Sequence, residues 1–147
     1  MFDINKFFEE LKKESDRGIV LIISTLLEEY LTELLEKKFI DDKKETDEIL
    51  NGPLAPIGSF SSKIKLSYCL GLINKQDRDN LNTIRKIRNK FAHNIESSSL
   101  NDEDVVKEIK KLNFVRIGPE DDLPKFILID AAYFFSGYLS GIIVGKK

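Results

Sequence analysis

The residues whose types and spacing could do chemistry are concentrated in Ile84-Arg85-Lys86-Ile87-Arg88-Asn89-Lys90-Phe91-Ala92-His93. At 3.6 residues per turn, Leu81, Ile84, Ile87, Phe91 and Ile95 fall on one broad face. Arg85, Asn89 and His93 line up at four-residue intervals on another, with Arg88 at the border. The planar donor fork of Arg88 could hold a phosphate, and His93 could move a proton near neutral pH. That pair suits cleavage of RNA through attack by its own 2'-hydroxyl. Five positions apart, the two stand about 140 degrees apart around an ideal helix. Convergence would need arginine's reach, a frayed helix end or a second subunit. The structural alternative has His93 capping the helix end while Arg85 and Arg88 pair with acids such as Glu28. Spacing alone favours that alternative, because one Arg and His pair is a weak motif.

A second candidate is Gly58-Ser59-Phe60-Ser61-Ser62-Lys63, a donor-rich turn entering a helix, where Ser59, Ser61 and Lys63 could collect an anion. It lacks the longer phosphate-loop pattern, so nucleotide hydrolysis is not supported, and helix capping by Ser59 or Ser61 is the simpler reading. Asp16 and Arg17 open a long helix that carries Glu28 three turns on, which permits a polar network reaching toward Arg85 or Arg88. One histidine and scattered carboxylates give no metal-ligand spacing, so neither a metal nor a cofactor is expected.

Charge and composition narrow the classes. Acids and bases nearly cancel, leaving a formal net charge of -2, whereas an autonomous duplex binder shows a basic face or stripe. Direct binding to duplex DNA is therefore not expected. The 147 residues, 41% hydrophobic and 33% charged, suffice for one globular domain spanning 1–147. The lone cysteine, Cys69, lies in an apolar stretch and reads as a buried reduced thiol, which suits a cytoplasmic location. No secretory signal pattern opens the chain. Phe126 to Val144 is long enough to span a bilayer, but Asp130, Ser136, Tyr138 and Ser140 interrupt it. It reads as a buried core helix, with no membrane association. Gly137 and Gly141 within it could mark a helix crossing or a dimer seam.

The elements that must position these residues follow from periodicity and punctuation. Ile4, Phe7, Phe8 and Leu11 form one face of a short helix over 3–13. Ser15 or Asp16 can cap a long helix to about Phe39. A charged connector leads to a short helical turn stopped at Gly52-Pro53. Helical spacing resumes through Leu70, with Gly71 as a left-handed cap, and continues from Asp77 to His93. After Ser97-Ser98-Ser99, Asn101 or Asp102 can cap a helix carrying Val105, Val106, Ile109 and Leu112. Phe114-Val115-Arg116-Ile117 has no strand partner and reads as extended loop, and Pro124 opens the last helix. The expectation is an all-α, compact single-domain bundle of six or seven helices.

Three separated segments carry a resemblance. Ser15-Asp16-Arg17-Gly18, then Gly58-Ser59-Phe60-Ser61-Ser62-Lys63-Ile64-Lys65-Leu66 with Gly71-Leu72-Ile73, then Ile84 through His93, occur in the order found in the mannitol operon repressor family, which the chain resembles from about Glu14 to His93. That resemblance implies a compact helical regulator without a helix-turn-helix reading head, acting through an unidentified protein partner. The segment Arg88 to His93 also resembles the Arg, four residues, His signature of HEPN domains. These are helical, often dimeric, and many are metal-independent endoribonucleases, although others only bind. In that reading Arg88 and His93 are the catalytic pair, with Asn89 positioning the site and Arg85 and Glu28 supporting it. The leading expectation is thus a HEPN-like, homodimeric regulatory protein. An RNA-cleaving enzyme is the first alternative and a non-catalytic scaffold the second.

Overall fold

The computed structural model describes residues 2–94, 98–116 and 123–145. Ile95, Ser97 and Ile117, which figure in the readings above, lie outside them. Seven helices and no strand are found among the described residues.

Five of the helices start where a side chain satisfies their first free amides. Asp3 accepts from the amides of Asn5 and Lys6 to open α1 (Ile4–Leu11), which buries Phe8 and Leu11. Ser15, rather than Asp16, caps α2 (Asp16–Glu36) by accepting from the amide of Gly18 at 3.1 Å. The charged connector leads to α3 (Lys43–Leu50), and Gly52 turns the chain away at φ +105°, a conformation that favours glycine. Ser59 and Ser62 form a reciprocal capping box at α4 (Phe60–Cys69). That helix ends in a Schellman motif: Gly71 has φ +72°, its amide donates to the Tyr68 carbonyl, and the Leu72 amide donates to the Ser67 carbonyl, each at 2.9 Å. A second capping box, Asn74 with Asp77, opens α5 (Lys75–His93) two residues ahead of the expected start. Asp102 precedes α6 (Glu103–Ile109), but its carboxylate accepts from the Ser99 amide instead of capping the helix. Pro124 is the first residue of α7 (Pro124–Gly145).

Helix α2 packs along α7, α4 and α5, and α6 bridges α5 to α7. One buried apolar cluster takes residues from all seven helices, with Phe60, Phe91 and Phe135 among its largest fully buried side chains. Burying a side chain of this kind contributes about 1.5–3 kcal/mol, which outweighs the modest intrinsic helicity of the short helices. The stretch from Leu112 to Arg116 is neither helix nor strand. Its backbone polar groups find partners on α5: buried Asn80 donates to the Asn113 carbonyl at 2.8 Å and accepts from its amide at 2.9 Å. A side-chain amide thus does what a neighbouring strand would have done.

Two expectations need correction. Cys69 is exposed, not buried. The inward face of α4 is Phe60, Lys63, Ile64 and Ser67, and the helical period carries position 69 off that face. Helix α7 is not enclosed on all sides either. Leu128, Ile129, Ala131, Ala132, Phe135, Ser136, Leu139 and Ile143 are buried, while Tyr133, Gly137, Gly141 and Val144 are exposed. By length and composition alone it could cross a bilayer. The chain covers only one of its faces.

Candidate functional site

Ile84, Ile87 and Phe91 anchor α5 in the core, and this sets the direction of its other face. Arg88 and Asn89 are half-buried beside one another, and the Arg88 guanidinium donates to Asn89 Oδ1 at 3.4 Å. The same guanidinium lies over the Phe60 ring, 5.4 Å from its centroid, so packing against α4 limits its swing. Arg85 donates to Asn82 Oδ1 at 3.2 Å. His93 is the last residue of α5 and is exposed. Among the described residues Arg85, Arg88 and His93 make no ion pair. The expected link from Glu28 to Arg85 or Arg88 is not formed; Glu28 faces a different groove, lined in part by Lys63.

Arg17 performs the capping task suggested for His93. Its guanidinium donates to the carbonyl of Phe91 and, at 2.9 Å, to that of Asn94. The end of α5 is therefore closed from the start of α2, leaving the imidazole of His93 outside that arrangement. Asp16, beside it, accepts from the Leu100 amide at 2.9 Å and from the Ser99 hydroxyl at 3.3 Å. Gly18 is crowded as well: a Cβ there would stand 3.2 Å from Ser15 Oγ and from a Glu14 carboxylate oxygen. Ser15-Asp16-Arg17-Gly18 is thus a structural clasp joining the start of α2, the end of α5 and the approach to α6. Lys90 adds a 2.9 Å ion pair to Asp104 on α6, which holds that carboxyl below its ordinary range.

The three residues of the suggested anion site are dispersed. Ser59 is committed to the capping box, and its hydroxyl also lies 2.9 Å from Ser62 Oγ. Ser61 lines a depression of about 340 Å³ with Lys65, Tyr68, Cys69, Arg78, Asp79 and Asn82. There Arg78 lies over the Tyr68 ring at 4.5 Å and pairs with Asp79 at 2.9 Å. Lys63 points elsewhere. It is only 4% exposed and lines a groove of about 710 Å³ between α2 and the α3–α4 connection. Its burial was legible in the sequence, because position 63 shares a face with Phe60, Ile64 and Ser67. Gly58, in the same motif, sits where a Cβ would fall 2.5 Å from the Gly52 carbonyl oxygen, so the loop closes only with glycine there. No group of three or more histidine, cysteine or acidic residues that could hold a metal occurs among the described residues.

These features define an all-helical bundle whose α5 presents Arg88, Asn89 and His93 beside a clasp from α2. The mannitol repressor family profile matches residues 3–125, and the chain belongs to that family. No curated protein matches significantly. Among solved structures, the chain is similar to that described as "X-ray structure of the MtlR-HPr complex from Escherichia coli". The TM-score is 0.65 and the identity 20%, over 97% of this chain and 96% of that one. At that identity the likeness establishes a shared fold.

Proposed function

We propose that this protein is a cytoplasmic regulator of the mannitol-repressor kind, acting in transcriptional control through association with another protein and with a second copy of itself. The observation that carries this reading is membership of the mannitol repressor family over residues 3–125. The likeness to a fold solved in complex with HPr supports a protein partner. The acidic balance of the chain, with a net charge of -2, supports action other than autonomous reading of duplex DNA. In this reading residues 1–147 work as one domain and do not associate with a membrane. The exposed face of α7, with Tyr133, Gly137 and Gly141, is the surface we assign to self-association. A direct test is binding of the purified protein to mannitol-operon promoter DNA. Binding no tighter than to unrelated DNA is expected. Specific binding whose affinity falls steeply with salt, showing several phosphate contacts, would overturn the indirect part of the proposal.

A second reading, endoribonuclease activity, is favoured by one observation: Arg17 closes the end of α5, leaving His93 exposed on the helix that carries Arg88 and Asn89. Here Arg88 would hold the phosphate, His93 would transfer the proton, and Asn89 would steady the arginine across its 3.4 Å contact. It predicts cleavage in EDTA leaving 2',3'-cyclic phosphate ends. A wild type that cuts RNA no faster than folded His93→Ala rules it out.

A further inference from the structure

The groove between α2 and the α3–α4 connection brings together two residues that the sequence placed in different sites, Glu28 and Lys63. Its α2 wall carries Glu28, Glu29, Glu33 and Glu36, with Lys37 just past the helix end, and Lys63 lines it from α4. None of these six charged groups makes an ion pair within 4.0 Å among the described residues. Lys63 is the unusual member. It is buried, and no hydrogen bond to its ammonium is found among the described residues. The side chain is enclosed along its stem while its ammonium opens on the groove with no protein acceptor, so an anionic group entering the groove can pair with it. The glutamates disfavour one another as well, because like charges four apart on a helix, such as Glu29 and Glu33, repel. Glu33 acts on its surroundings, adding to burial in holding the Tyr30 phenol above its ordinary value.

We propose that this groove binds a small zwitterion of net positive charge, a free amino acid with a basic side chain, whose carboxylate meets Lys63 and whose cationic groups meet the α2 glutamates. Four carboxylates against two ammonium groups reject a simple anion such as phosphate, and buried Lys63 disfavours a simple polyamine. A ligand with one carboxylate and two cationic groups satisfies both walls. Thr25, Thr32 and Asn51 add neutral hydrogen-bonding groups. The volume of about 710 Å³ lies within the range of about 300–1,000 Å³ common to small-molecule sites. Arg88, Asn89 and His93 do not line the groove, so the proposal is independent of the regulatory and ribonuclease readings.

Calorimetric titration of the whole protein with L-arginine and L-lysine, beside L-argininamide and L-glutamate, tests it. At least one of the two basic amino acids is expected to bind saturably, L-argininamide at least about tenfold more weakly than L-arginine if arginine is the ligand, and L-glutamate not at all. Lys63→Met, which keeps the buried stem, should cost the basic amino acid about tenfold or more, while Lys63→Arg retains binding. Glu33→Gln with Glu36→Gln should weaken the amino acid and its amide together. Should Lys63→Met not fold, the ligand series on the wild type and the paired glutamine variant decide. No saturable binding of arginine or lysine at millimolar concentration, or equal binding of arginine and its amide, would overturn the proposal.

Discussion

Arg17 shows how one side chain sets the exposure of another. By closing the carbonyls at the end of α5 it supports the helix and leaves His93 at the surface. Hydrogen bonds from a charged donor are worth about 1.5–3 kcal/mol, so Arg17→Met should lower unfolding free energy by about that much. His93→Ala, at an exposed position outside that clasp, should stay within about 0.5 kcal/mol of wild type; denaturant unfolding checks both. If the two changes cost the same, the division of labour is wrong. The grouping of Arg85, Asn89 and His93 on one side of α5 was legible because helical period alone dictates it. The destination of Arg17 was not, since its partners lie 74 and 77 residues away and nothing local encodes that reach. Tyr138 makes a separate prediction. Burial, with the Asp77 carboxylate adding, holds its phenol above the ordinary value of 10.0. The neutral phenol is favoured in the folded state, so its contribution is intact below about pH 10 and is lost as pH rises through the folded pKa. Tyr138→Phe should flatten the alkaline end of the stability profile. An unchanged slope above pH 10 would show that Tyr138 does not contribute there.

At the scale of elements, the glycines divide into two kinds. Gly58 belongs to a close backbone approach, and Gly58→Ala should destabilise by about 1–3 kcal/mol, as overpacking does. Gly137 and Gly141 lie in α7, where an added methyl group would meet nothing within 4 Å. In an isolated chain Gly137→Ala and Gly141→Ala should each stabilise the helix by up to about 1 kcal/mol. At the proposed self-association surface they should also weaken the dimer, which light scattering over a dilution series reads. Stabilisation with unchanged association would move the dimer surface elsewhere. Most helix boundaries were legible because Ser15, Ser59, Gly52, Gly71 and Pro124 punctuate the chain through local backbone chemistry. The open face of α7 was not: a uniformly apolar helix carries no periodic signal for which side the rest of the chain covers. Nor was the reversal at Cys69, where an apolar neighbourhood in sequence lies on the outward side of α4.

Across the whole molecule, one apolar core orders seven helices so that three surfaces remain distinct: the Arg88 side of α5, the glutamate-lined groove of α2 and the outer face of α7. The all-helical class was legible from periodicity. The groove was not, because it is assembled from α2, the end of α3 and the start of α4, and only the fold joins them. The proposed regulatory account has the protein act through a protein partner rather than by reading duplex DNA alone, and calorimetric titration of the purified protein with HPr, the partner in the complex of the similar fold, tests that proposal most directly. The account predicts saturable binding at moderate salt, retained in folded His93→Ala. No binding under those conditions, with specific binding to operator DNA by the protein alone, would contradict it.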